Sequence, residues 1–139
     1  MNITQLLMDE GDAKEVEKKK TGTFRSKRLA EIAGKDGVIE VEFEALSPRK
    51  VQQVRGIMTA KDGSPDFSKT VDGSLVAITY GVTNPDLKDA GLRKKFGAST
   101  PKDLAEKLFG SEIDALATKI IDLSQTGEDD YTDEELVKN

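Results

Sequence analysis

Between Ile39 and Ala45 the chain alternates without a break: Ile39, Val41, Phe43 and Ala45 fall on one side, Glu40, Glu42 and Glu44 on the other. A period of two describes a strand with one buried and one solvated face. Such a strand needs a partner along its edge and apolar cover on its inner side. The expected partner is the extended-looking stretch Thr23-Phe-Arg-Ser-Lys-Arg-Leu29, reached through Gly34-Lys-Asp-Gly37, whose Asp-Gly pair suits a tight turn. Arg25 and Lys27 would then stand opposite the Glu row, in cross-strand pairs each contributing about 0.2–1 kcal/mol. The expected unit is a two-stranded antiparallel hairpin, which cannot be stable alone and must lie on helices.

Helical signals fill the rest of the chain. Ser47-Pro48 supplies an N-cap and a proline at the first helical position, and Val51, Val54 and Met58 follow at helical spacing. Gly56 weakens that helix, and Lys61-Asp-Gly-Ser-Pro-Asp66 ends it. A second helix is expected from Asp66, with Phe67, Val71, Leu75, Ile78 and Val82 as its buried stripe and Val76, Ala77 and Tyr80 widening it. Gly73 inside that stretch costs about 1 kcal/mol relative to Ala. Gly81 and Asn84-Pro85-Asp86 mark its end. Leu87 to Phe96 reads as a short amphipathic helix stopped by Gly97. Thr100-Pro101 starts another, with Leu104, Leu108 and Phe109 inward. Ser111 is the expected cap of the last helix, where Ile113, Leu116, Ile120 and Leu123 line up before Gly127.

The fold class expected is therefore α+β and mostly helical: an N-terminal two-stranded hairpin followed by four or five short helices. The boundaries are an arm over residues 1–21, one domain over 22–127 and an acidic, unstructured tail over 128–139. In the arm, Ile3, Leu6, Leu7 and Met8 form an apolar patch ahead of the nearly all-charged Lys14–Lys20. It reads either as a solvated leader or as a short amphipathic segment that docks onto a neighbouring subunit.

The residue inventory excludes several function classes. The chain has 139 residues, no Cys and no His, so it lacks thiolate chemistry, the commonest general base and the commonest metal ligand. Its net charge of −5 counts against a protein that grips phosphate backbones. Arg93-Lys94-Lys95 and Lys18-Lys19-Lys20 are short basic clusters without interleaved aromatics. The loop Lys61–Asp66 lacks the ligand spacing and closing Glu of a calcium loop, and no Walker-type glycine loop is present. No apolar run reaches the length of about 18 residues that a membrane span needs, and Asp9 and Glu10 follow the first apolar residues too soon for a secretory signal. Neither nucleic acid nor membrane is expected as a partner, no catalytic residue, cofactor or metal is expected, and the expected location is the cytoplasm.

Several stretches together resemble one family. Glu44-Ala-Leu-Ser-Pro-Arg-Lys50, then Gly81-Val-Thr-Asn-Pro-Asp-Leu-Lys88, then Lys95-Phe-Gly-Ala-Ser-Thr-Pro-Lys-Asp-Leu-Ala-Glu-Lys-Leu108, look like the XkdN-like phage tail assembly chaperones of contractile-tailed phages and related prophages. Gly110-Ser-Glu-Ile-Asp-Ala-Leu116 and Ile120-Ile-Asp-Leu-Ser124 add to the likeness, which runs from about Thr23 to Gly127. The resemblance implies a non-enzymatic protein of the bacterial host cytoplasm that associates with the tape-measure protein, keeps it soluble while tube subunits polymerise, and is absent from the finished tail. It further implies self-association into an oligomer, contact with the tail tube protein, and a longer version made by ribosomal frameshifting. The alternative reading is a structural tail component, a tube or completion protein, that stays in the particle; a small regulatory binding module is a third class. Candidate client-binding residues are Leu87, Leu92 and Phe96 on a helix edge and Ile3, Leu6 and Leu7 on the arm. The competing reading of the first three is that they pack in the core.

Overall fold

The structure, a computed structural model, describes residues 1–127; the acidic tail over 128–139 lies outside the described residues. The alternating segment is β2 (Ile39–Glu44), with Val41 and Phe43 buried and Glu40 and Glu42 exposed. Its neighbour β1 (Thr21–Ser26) runs antiparallel, pairing Thr21 with Glu44 through to Ser26 with Ile39, so Arg25 does stand opposite Glu40. The expected two-stranded hairpin is corrected to a three-stranded antiparallel sheet ordered β1-β2-β3, since β3 (Val82–Asn84) pairs along the other edge of β2.

The link from β1 to β2 is not a tight turn. It contains a helix, α3 (Lys27–Ile32), within the stretch read as extended. Its start is fixed from both ends of the chain. The hydroxyl of fully buried Ser26 accepts the Leu29 N–H at 3.0 Å, as an N-cap does. Ser26 Oγ also donates to Glu112 Oε1 at 2.5 Å, while Glu112 Oε2 accepts the N–H groups of Lys27 at 3.1 Å and Arg28 at 3.4 Å. A carboxylate at a helix N-terminus satisfies orphan donors and complements the dipole there. Arg28 reciprocates: its Nε and Nη2 donate to the carbonyls of Leu108 and Lys107 at 3.0 and 2.8 Å. Those carbonyls close α7 (Pro101–Phe109).

The core is built around α5 (Thr70–Gly81), which follows a 3₁₀ turn at Phe67–Lys69 capped by Asp66. It packs on α4 (Pro48–Ile57), on α7 and, most extensively, on α8 (Ile113–Thr126). Gly73 is explained by that packing, because a Cβ there would lie 2.5 Å from Met58 Cγ. Gly81 is likewise a contact site, with an added Cβ only 2.8 Å from Ile120 Cγ2. The caps read from sequence at Ser47, Thr100 and Gly127 all form, the last with φ 74° and its N–H on the Leu123 carbonyl at 2.8 Å. Ser111 does not cap α8; a 3₁₀ turn at Gly110–Glu112 leads into it, with Gly110 at φ 50° against the Arg28 guanidinium.

Two further expectations change. Phe67 and Val71 do not belong to the buried stripe; they are 84% and 52% exposed, and the core begins one turn later at Leu75. The Leu87–Phe96 segment is helical only over α6 (Ala90–Lys95), with Asp89 as its cap, and Leu87 is buried in the preceding turn after the cis Asn84–Pro85 peptide. Ahead of the sheet, α1 (Ile3–Glu10) and α2 (Ala13–Glu17) bury no residue. The chain then joins the sheet through Lys19 Nζ on Glu44 at 3.1 Å and the Ala45 N–H on the Lys20 carbonyl at 2.8 Å.

Two stability measurements follow from this packing. Glu112→Ala leaves the N-terminus of α3 and the buried Ser26 hydroxyl without their acceptor, and is expected to lower unfolding free energy by about 1–3 kcal/mol in urea titrations. Leu87→Ala should cost about 2–5 kcal/mol, whereas Phe67→Ala should stay within about 0.5 kcal/mol of the parent. Equal losses at Leu87 and Phe67 would contradict the burial assigned to them.

Candidate protein-binding surfaces

The sequence-derived candidates separate into three environments. Leu87, at 3% exposure, is a core residue and offers no surface. Leu92 and Phe96 are half-buried against the core from α6, and their outer edges line one wall of a groove of about 430 Å³. Leu29 and Ile32 of α3 and Ala33 just after it also line it, together with Ile39 and Pro85. This groove exists because α3 interrupts the link between β1 and β2. Lys95 and Glu40 supply its charged rim.

Ile3, Leu6 and Leu7 form the second environment. They lie at i, i+3 and i+4 on α1, the spacing that places side chains on one helical face. All three are exposed, as are Met8 and Val16. Asn2 caps the helix by accepting the Gln5 N–H at 3.1 Å, so the local sequence encodes the helix although none of its residues is buried.

The third surface was not among the residues singled out from sequence. Phe67 and Val71 project at the start of α5. On the same helix Thr70, Ser74 and Ala77 line a groove of about 270 Å³, closed by Met58 of the α4 end and by Ala117 and Ile121 of α8. Asp114, Asp122 and Arg55 stand around it. Helical periodicity alone places Phe67 and Val71 in the stripe that continues to Leu75 and Ile78. The signal against burial is the preceding loop, where Asp62 and Asp66 each accept both the backbone N–H and the hydroxyl of the serine two residues on. These bonds hold both carboxyls below their usual pKa and spend them on local turns, Ser64 being the main cause for Asp62 and Ser68 for Asp66.

Among the described residues there is no group of three or more Asp or Glu side chains arranged to hold a metal ion, and no helix long and apolar enough to cross a membrane. What the geometry offers among the described residues is apolar surface, including two grooves and an amphipathic helix, α1, that buries none of its residues. Exposed apolar surface of this kind, rimmed by charge, is where proteins bind other proteins.

No curated protein and no solved structure matches the chain. A family model does, described as phage XkdN-like tail assembly chaperone protein, and it spans residues 3–138. The match thus takes in α1, α2 and all three surfaces as well as the Thr23–Gly127 region that carries the resemblance. The chain belongs to the XkdN-like phage tail assembly chaperone family.

Proposed function

We propose that this chain binds the tape-measure protein of its own tail, keeps it soluble while the tube assembles around it, and leaves before the particle is complete. Membership of the family over residues 3–138 is the observation that carries the reading. The surfaces suit it physically. A tape-measure chain is long and helical, and an amphipathic helix lays its apolar stripe into a shallow apolar groove. Grooves of this size bind through a few side chains at a time, which gives the exchangeable contact that a departing partner needs.

The action is binding without catalysis, in the cytoplasm of the bacterial host. No Cys or His supplies a nucleophile or general base anywhere in the 139 residues, and a chaperone of this kind needs neither. The tail tube protein and a longer, frameshifted version of the same chain are further partners in this reading. The acidic balance, with a net charge of −5, favours keeping an aggregation-prone complex in solution.

Co-expression with the tape-measure protein of the same locus tests the proposal, read as the soluble fraction of tape measure and its co-purification in high salt. The expected outcome is a soluble complex that tolerates salt, and particles that lack this chain. Recovery of the chain from purified mature tails, with the tape measure still insoluble in its presence, would make it a structural subunit instead.

A further inference from the structure

Among the described residues, helix α1 presents an exposed apolar face and the groove beside α6 an open apolar lining. Ile3, Leu6 and Leu7 are 62%, 42% and 63% exposed, and no residue of the helix is buried. Isolated helices shorter than about 12–15 residues are marginal in water, so α1, with its eight residues, depends on a packed face to persist. Its last turn also carries Asp9 and Glu10 and no basic side chain. Anions at the carbonyl end of a helix oppose its dipole, and a cationic neighbour would offset them.

The groove has apolar walls from Leu29, Ile32, Leu92 and Phe96 and a cationic rim at Lys95, with exposed Lys94 next to it. Glu40 stands on the sheet side of the opening, so the positive charge is confined to the α6 end. That arrangement fixes one direction for a docked helix whose acidic residues lie at its C-terminus. Within one chain no residue of α1 lines this groove. The arm enters at Thr21, opposite Glu44, whereas the groove lies beyond the other end, where Ser26 pairs with Ile39. At about 3.3 Å per residue, five steps of strand separate those ends by roughly 17 Å.

We propose that α1 of one copy docks in this groove of a second copy, placing Ile3, Leu6 and Leu7 against Leu29, Ile32, Leu92 and Phe96, with Asp9 and Glu10 toward Lys94 and Lys95. The interface is a self-association surface, separate from the Phe67–Val71 face, which it leaves open. The assignment stands without the tape-measure reading, and its test uses this chain alone.

Because the natural chain has no Cys, single cysteines report the contact cleanly. Full-length Leu7→Cys and Ile32→Cys proteins would be mixed under mild oxidation and followed on non-reducing gels. A disulfide-linked heterodimer is expected to form at least about tenfold faster than between Leu7→Cys and a Phe67→Cys control, because docking raises the local thiol concentration. Adding Leu6→Asp to the arm protein should remove that advantage, and sedimentation of the cysteine-free Leu6→Asp chain should shift toward monomer. Linking no faster than the control would overturn the proposal. So would a double Leu7→Cys/Ile32→Cys chain that closes only within itself, because the arm would then lie in its own groove.

Discussion

From Gly73 onward α5 is apolar on most of its surface and has to be enclosed, and that constraint organises the rest of the molecule. Gly73, Ser74, Leu75, Ala77, Ile78 and Gly81 are all buried, so neighbours must cover it on several faces at once. The small residues set how close those neighbours come. Gly73 admits Met58 from α4, and Gly81 admits Ile120 from α8, in contacts that a methyl group would block. The chain passes directly from Gly81 to Val82 and becomes β3, so the helix that fills the core also delivers the strand that completes the sheet. The glycines weaken the helix locally and make its packing possible, an exchange that favours the folded protein only when the neighbours are present.

The sheet is held to this helical layer by polar contacts between residues far apart in sequence. Glu112 and Ser26 join the end of β1 to the α7–α8 junction, and Arg28 returns the contact to the last carbonyls of α7. Ser124 accepts the Leu46 N–H at 2.8 Å while donating to the Ile120 carbonyl, which ties the segment after β2 to α8. Lys119 Nζ donates to the Thr23 carbonyl at 2.8 Å and covers part of β1. Each such bond contributes only about 0.5–1.5 kcal/mol net. Their larger effect is on register, since each is made only when strand and helix are aligned as observed. The same bonds fix the start of α3, whose Leu29 and Ile32 line the groove beside α6.

For a protein that handles others during assembly, the distribution of apolar surface matters more than its amount. The core takes the large side chains of β2, α5, α7 and α8, and most of what remains outside is divided among α1, the α3–α6 groove and the Phe67–Val71 corner, with Val16 and Val38 exposed singly. Separate small surfaces can bind separately, so contacts made at one need not compete with contacts made at another. Small surfaces also limit the affinity of any one contact, because ordering side chains and chain segments offsets much of what burial contributes. The charged residues between them keep any one patch from growing into an aggregation site.

Much of the local structure could be read directly from the residues. The alternation in β2, the Ser47 and Thr100 caps with their prolines, and the glycine end at Gly127 all depend on atoms within a few positions of one another. What sequence could not show were decisions made by distant residues. Ser26 looks like one more residue of an extended stretch until the Glu112 carboxylate, 86 positions away, makes it the start of a helix. Phe67 and Val71 continue the period of Leu75 and Ile78 perfectly well, yet among the described residues no element covers them, and they remain in solvent. Leu87 matches Leu92 and Phe96 in character, and only the turn after Pro85 carries it inward while leaving them at the groove rim. The sequence by itself determined the helix and strand periods, most of the caps, the apolar arm and the absence of Cys and His. Tertiary packing decided which apolar side chains became core and which became surface, because burial depends on whether another element arrives to cover a face, and periodicity carries no record of that.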